Sequence, residues 1–309
     1  MAIYIPIDTD RVCEDFSQFP AAISAAASEV EDAVKKVIQE ATEDGTRERR
    51  RADIRHSNKC GDPYSICHSP ALPQRLILVA TITEALWIHD DVTEELDHTS
   101  ACKEHDGLAQ MLRLDIEPSS KRQKAFQDVI KRAVDMDPAM ATSLTTVIRQ
   151  YLKTSDLENV DFRLMKDYIP YRINHSGYWM SSYFIRWGMG LTLTTEEYDS
   201  VRNFDVAMGN ILGLTNDYFS WFVEEHQNTD RVRNGVRVLM NEHNVDADIA
   251  RDLLLGIIVK EEVKAKRLKE ERLKNNASDE ILQYFQAIEL HIGGSCYWHA
   301  TAPRYQKFE

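Results

Sequence analysis

Apolar residues recur at three- and four-residue spacing along almost the whole chain, and strand-like alternation is scarce. That periodicity gives each of a series of long helices one apolar face, which must be buried against its neighbours. Gly (12) and Pro (9) are few and fall between the periodic stretches, so they mark helix ends. Residues 20–43 are Ala-rich, with a stripe of Ile23, Val30, Val34 and Ile38. Pro73 opens a second helix, at a position where its missing N–H costs nothing. Residues 121–153 divide at Pro138, 168–190 are aromatic-rich, and 195–225 run as one long segment. Residues 248–275 alternate Lys/Arg with Glu at the spacing of a solvated helix face. A helix over 278–292 is expected to break at Gly293-Gly294. Residues 44–70, with Gly45, Gly61, Pro63 and Pro70, are expected to form a loop carrying Arg47, Arg49, Arg50 and Arg51 on a solvated surface. No 20–50-residue repeat and no linker is visible, so residues 1–309 are expected to be one all-α domain.

Composition narrows the function. Lys+Arg 37 against Asp+Glu 50 gives a net charge of −13, which argues against a general nucleic-acid binder, since phosphate contacts need clustered cations. Excess carboxylates suit a protein that gathers divalent cations and also simply keep a surface soluble. Cys13, Cys60, Cys67, Cys102 and Cys296 are an odd, scattered set without CxxC. That is no disulfide framework and points to a reducing compartment. Cys60, Cys67 and His68 lack a fourth ligand and zinc spacing. There is no basic, apolar leader and no run of about 18 apolar residues, so a cytoplasmic protein without a membrane span is expected.

Two polar motifs stand out from these helices. Residues 80–95, ATITEALWIHDDVTEE, end in Asp90, Asp91 and Glu94. Asp90 and Glu94 share a helix face with Asp91 beside them, and like charges at that spacing repel. A divalent cation relieves the repulsion, and hard oxygen donors of this kind suit Mg²⁺, which bridges carboxylates to substrate phosphates. The other reading is an acidic helix end on the surface. In residues 210–225, NILGLTNDYFSWFVEE, Asn216, Ser220 and Glu224 are spaced i, i+4, i+8 and stay within a sector of about 80°. Amide, hydroxyl and carboxylate oxygens so arranged make an all-oxygen site for a hard cation. An interhelical hydrogen-bond seam would equally account for a polar stripe among Tyr218, Phe219, Trp221 and Phe222.

The pair Asp90-Asp91-x-x-Glu94 and Asn216-x-x-x-Ser220-x-x-x-Glu224 resembles the two metal motifs of class I terpene synthases. Arg172, in DYIPYRINHSGYW, precedes Asn216 by the interval at which that family places its diphosphate-sensing arginine. Arg304-Tyr305, in CYWHATAPRYQKF, resembles the family's terminal Arg-Tyr pair. The wording HDDVTEE, LTNDYFSW and YWHATAPRY is most similar to the N-terminal cyclase domain of fungal bifunctional terpene synthases, whose downstream prenyltransferase domain makes the substrate. No second Asp-rich prenyltransferase half is expected within residues 1–309, which are read as either an excised cyclase domain or a stand-alone relative.

The resemblance implies the all-α class I terpenoid synthase bundle, with the two motifs facing each other across its mouth and holding three Mg²⁺ ions on a polyprenyl diphosphate. The implied reaction is ionisation of a C20 (geranylgeranyl) or C25 (geranylfarnesyl) diphosphate and cyclisation of the cation to a di- or sesterterpene. It assigns metal ligation to Asp90, Asp91, Glu94, Asn216, Ser220 and Glu224, and catalysis to Asp90, Arg172, Arg304 and Tyr305. Asn174, Gly177 and Asp217 are expected near the substrate, Asn174 and Gly177 where the helix carrying Arg172 breaks. Trp87, Phe219 and Trp298 are expected to face the cavity and stabilise cations through their ring faces, with Tyr64, Trp179, Phe184 and Trp187 as further candidates. His89 and His175 are read as structural. One departure is Val223, where the family often has Lys before the final Glu; Arg231 or Lys260 are the substitutes at hand. The competing readings are an isoprenyl diphosphate synthase-like prenyltransferase, which needs Asp-rich motifs on both walls, and a catalytically inactive helical interaction domain.

Overall fold

The computed structural model describes residues 3–154, 161–225 and 233–305. Within them the chain forms α1 (Ala27–Ala41), α2 (Arg47–Arg55), α3 (Pro63–Cys67), α4 (Pro73–Thr93), α5 (His98–Gln110), α6 (Lys121–Met136), α7 (Ala141–Thr154), α8 (Met165–His175), α9 (Tyr178–Met189), α10 (Thr195–Glu224), α11 (Gly235–His243), α12 (Ala247–Leu273) and α13 (Asp279–Thr301). The only sheet among the described residues is a two-stranded antiparallel ribbon, β1 (Tyr4–Pro6) on β2 (Ala22–Ser24). Local chemistry explains the helix limits. Pro73 is the first helical residue of α4, Asp97 and Ser120 cap α5 and α6 through their side chains, and Thr194 with Glu197 forms a reciprocal capping box for α10.

Two large apolar clusters fill the bundle. One joins α8 to α13 around Phe204, Leu214, Tyr284 and Phe285; the other joins α4, α6, α7 and α9 around Leu86, Phe126, Ile148 and Phe184. Helix α10 packs on α8, α11, α12 and α13, and α4 packs on α1, α2, α6 and α9. These two long helices carry the two polar motifs.

The sequence-based limits hold for α4, for the division at Pro138 and for the single long α10, and fail in three places, the first being residues 22–24, where Ile23 of the expected helical stripe lies in β2 and α1 begins only at Ala27. Residues 44–70 are not a loop: Thr46 caps α2 and Asp62 caps α3, each accepting backbone N–H bonds. In α2 arginine density hides a helix that faces acidic partners instead of an apolar core. Nor does Gly293-Gly294 break α13, which runs through both to Thr301. A Cβ at Gly293 would lie 2.3 Å from the Pro20 carbonyl oxygen, and one at Gly294 2.9 Å from that of Ile66. The glycines admit the backbones of the N-terminal segment and α3 against the helix.

Candidate active site

The site gathers at the C-terminal ends of α2, α4, α8, α10 and α13, where helix dipoles present their negative ends and favour cations. The apolar faces of α4 and α10 fix the axial position of each motif. Asp90 and Asp91 come out near the end of one helix and Asn216, Ser220 and Glu224 within the last turns of the other.

On the α4 wall, Asp90 Oδ2 accepts a hydrogen bond of 2.6 Å from the hydroxyl of Tyr151 on α7. Burial lifts the Asp90 carboxyl to about 7; the Tyr151 bond works against that rise, and the neighbouring charges of Glu94 and Asp91 add to it. Asp91 is buried, with Oδ1 3.2 Å from Arg51 Nη1 and Oδ2 3.0 Å from Arg55 Nη2. Glu94 Oε2 lies 2.8 Å from the same Arg51 nitrogen. Of the four arginines assigned to a solvated loop, Arg51 faces the acidic motif, and Arg55, outside that assignment, joins it, so the repulsion expected among its carboxylates is relieved by two guanidinium groups. Behind them Glu84, fully buried, accepts from Arg55 (3.2 Å), His56 (2.8 Å) and Tyr64 (2.5 Å). Burial alone would raise Glu84, but Arg55 and His56 outweigh it and bring the carboxyl down to about 2.

On the α10 wall, Arg172 is buried and reaches the second motif directly. Its Nε donates to Asp217 Oδ1 at 2.8 Å and its Nη2 to Asn216 Oδ1 at 2.6 Å. Asp217 gives its other oxygen to the Tyr168 hydroxyl (2.7 Å) and the Gly235 N–H (3.0 Å). Both oxygens of Asp217, expected near the substrate, are engaged by protein groups here, and the carboxylate positions Arg172. Burial raises its carboxyl to about 6 against the pull of Arg172. Asn234, the buried cap of α11, donates from Nδ2 to Ser220 Oγ (3.3 Å) and Glu224 Oε2 (3.0 Å), aligning two of the three oxygen donors. His299 orients the third. Its Nδ1 is 2.7 Å from the Ser295 carbonyl and its Nε2 3.1 Å from Asn216 Nδ2, so the ring donates to the carbonyl and accepts from the amide. Burial holds His299 at about 4, the neutral form this role requires, and the amide oxygen is left to Arg172.

An aromatic chain joins the walls. Trp87 lies 5.2 Å from Tyr64 and 6.3 Å from Trp298 between ring centroids. Trp298 meets His299 at 5.1 Å and Tyr305 at 5.7 Å, and His299 stacks on Phe219 at 5.8 Å. The Tyr305 hydroxyl feels Arg304 and Arg55 together with Glu224 and Glu94, so the terminal Arg-Tyr pair lies within electrostatic reach of both motifs. Trp87, Phe219, Trp298 and Tyr64 thus belong to one aromatic chain at this end of the bundle. The other aromatic candidates do not. Phe184 and Trp187 belong to the core between α4, α6 and α9, and Trp179 bonds Asn174 while Arg202 covers its ring at 5.5 Å.

Gly177, with φ +72°, starts α9 after the break, and a Cβ there would meet the Tyr151 ring at 3.0 Å. It acts on the site through the residue that holds Asp90. Asn174 is exposed and tied to the Pro170 carbonyl and Trp179, so it secures the break and does not enter the site. His89 is buried on His105 (2.9 Å), whereas His175 reaches Arg172 Nη1 at 2.9 Å. Val223 is 40% exposed and Lys260 is exposed on α12; Arg231 lies outside the described residues.

Asp90, Asn216, Ser220 and Glu224 supply only oxygen, the donor set of hard divalent cations, and Asn234 and His299 already aim these donors, so the residues fit the metal. Sequence reading missed Tyr151, Asn234 and His299, whose partners are distant in sequence. Glu84, an acid within an apolar run and seven residues before Asp91, was a visible signal.

Residues 82–264 match the family described as terpene synthase family 2, C-terminal metal binding. The chain is 29% identical over 246 residues to an ophiobolin F synthase of Aspergillus clavatus, covering 77% of this chain and 33% of that protein. It is 28% identical over 264 residues to a fusicoccadiene synthase of Phomopsis amygdali, covering 78% and 36%. The chain thus spans about a third of the length of the curated relatives it matches. Among solved structures, aristolochene synthase from Penicillium roqueforti superposes with a TM-score of 0.79 at 17% identity, over 96% of this chain and 100% of that one. Hedycaryol synthase in complex with HEPES gives 0.76 at 16%, over 94% and 99%. The helical bundle is the class I terpene synthase fold, the matched segment carries dependence on a divalent metal, and the chain belongs to the terpene synthase family.

Proposed function

We propose that the chain is a Mg²⁺-dependent cyclase that ionises a C20 or C25 polyprenyl diphosphate and closes the resulting cation into a polycyclic di- or sesterterpene. The observation that carries this reading is the convergence of two oxygen-donor walls, Arg172 and the Trp87–Trp298–His299–Phe219 chain at one end of the bundle. The allylic C–O bond breaks heterolytically, and the electron pair leaves with the diphosphate. Asp90, Asp91, Glu94, Asn216, Ser220 and Glu224 would hold three Mg²⁺ ions with the diphosphate, and the metal would supply Lewis-acid stabilisation of that growing charge. Asp91 and Glu94 set the charge of the first wall. Arg172 and Arg304 offer planar forks that match phosphate oxygens, and the Tyr305 hydroxyl adds a donor. Trp87, Phe219 and Trp298 exclude water and present ring faces to the cation.

Relatives named sesterterpene synthases support the longer substrates. One named a bifunctional sesterterpene synthase, together with the partial coverage, supports a covalently linked prenyltransferase domain in the full-length protein, with residues 1–309 as the cyclase domain. Among the described residues no helix is long and apolar enough to cross a membrane, and we place the enzyme in the cytoplasm. The test is incubation with C15, C20, C25 and C30 diphosphates, with Mg²⁺ or with EDTA, and mass spectrometry of the extract. A cyclic product from C20 or C25, abolished by EDTA, supports the reading; no product from any of the four contradicts it.

A further inference from the structure

The proposed function leaves Arg51 and Arg55 of α2 without a role, and they are held very differently. Arg51 has 18% of its side chain exposed and places one nitrogen, Nη1, 3.2 Å from Asp91 Oδ1 and 2.8 Å from Glu94 Oε2. It stands between two carboxylates of the first motif, where a cation shared by them would sit. Arg55 has 3% of its side chain exposed, bonds Asp91 and the fully buried Glu84 through Nη2, and lies 5.1 Å over the Trp87 ring. His56 and Tyr64 hold Glu84 in turn. Drawing Arg55 out would take the cation from a fully buried carboxylate, which is costly; drawing Arg51 out parts it from the exposed Glu94 and Glu95 and leaves the buried Asp91 still paired with Arg55, which costs less.

Resting on the proposed function, we propose that Arg51 is a releasable counter-cation. It neutralises Asp91 and Glu94 until a divalent metal takes their charge, and its freed guanidinium then donates to the diphosphate that arrives with the metal. Arg55, anchored by Glu84, stays and keeps Asp91 in register. Charge balance supports the exchange. A divalent cation beside Asp91 repels Arg51, and the diphosphate restores the anion that Arg51 has lost, in a form its planar fork fits bidentately. The position of α2 supports it as well. It packs against the turn that carries Arg304 and Tyr305, and Asn58 just beyond it donates to Thr301 at 3.0 Å.

The test titrates Mn²⁺ alone, followed by electron paramagnetic resonance, and inorganic diphosphate at saturating Mn²⁺, followed by calorimetry. Wild type, Arg51→Ala and Arg51→Lys are compared after circular dichroism has shown each to be folded. Removing a competing cation should tighten Mn²⁺ binding by Arg51→Ala about tenfold, while loss of a charge-assisted donor weakens diphosphate binding about tenfold. Arg51→Lys keeps the charge without the fork, so Mn²⁺ binding stays near wild type and diphosphate binding falls partway. Opposite signs in one variant are the signature, because a merely structural role moves both affinities together. No gain in Mn²⁺ affinity, or a parallel fall of both, overturns the role of Arg51. Wild type that binds neither ligand overturns the proposed function itself, and this inference with it.

Discussion

The two walls solve the same problem by different means. On α4 three carboxylates lie within five residues, and their repulsion is met with full positive charge from another helix, Arg51 and Arg55. On α10 two of the three donors are neutral, so Asn216, Ser220 and Glu224 need alignment more than neutralisation, and Asn234 and His299 supply it through amide and imidazole bonds. The one buried carboxylate of that wall outside the donor set, Asp217, is spent on Arg172. On the proposed function, the α4 wall is therefore the one whose charge would change when a cation enters, while the α10 wall is already aligned.

The strongest way to break this comparison is to remove one donor from each wall. Asp90→Ala and Asn216→Ala should each lower cyclisation by about 10³ or more. The double variant should lose little beyond either single one, since residues acting as a unit are not additive. Kinetics with the C20 and C25 diphosphates check this, and additive losses would mean that the walls act separately.

Stability separates the walls next. Asp217→Asn leaves Arg172 buried without its counter-charge and should cost about 3 kcal/mol. Asp91→Asn should cost less, because Glu84 still partners Arg55 and Glu94 still partners Arg51. Urea midpoints and slopes of the two variants decide it.

A third contrast is pH. The folded value of Asp90, about 7, lies above the ordinary 3.8 of an exposed carboxyl. The folded state therefore holds a proton that the unfolded state has released. This group's contribution to stability is present below pH 3.8 and lost as pH rises through about 7. Without added metal, Asp90→Asn should flatten the fall of the thermal midpoint between those values. Mg²⁺ affinity should drop below pH 7, since ligation needs the ionised carboxylate. The smallest effect is expected of Asn234→Ala, which leaves Glu224 and Ser220 with water in place of the amide, a loss of about 1–2 kcal/mol in thermal or chemical unfolding.

How much of this was legible in sequence follows from how far each interaction reaches. The motifs on α4 and α10 are local, one or two turns long, so helical spacing exposed them; the resemblance added Arg172, Arg304 and Tyr305. The helices around them followed from apolar periodicity. Helix α2 did not, because its ordered face meets Glu84, Asp91 and Glu94 and leaves no apolar stripe. Gly293-Gly294 misled because glycine that admits a neighbouring backbone into a helix looks the same in sequence as glycine that ends one. The supports at Tyr151, Asn234 and His299 pair residues brought together only by the apolar cluster that α7 shares with α4 and by the packing of α11 and α13 on α10. The partners of Asn174 and Asp217, Trp179 and Arg172, depend on χ angles that spacing does not set.

The most direct measurement of the central claim, that both walls hold the same cations on one diphosphate, is calorimetric titration of inorganic diphosphate into wild type, Asp90→Ala and Asn216→Ala, each with and without Mg²⁺. Wild type should bind diphosphate only with Mg²⁺, and both variants should lose that binding to a similar degree. Binding by wild type without Mg²⁺, or binding that survives the loss of either wall, would contradict it.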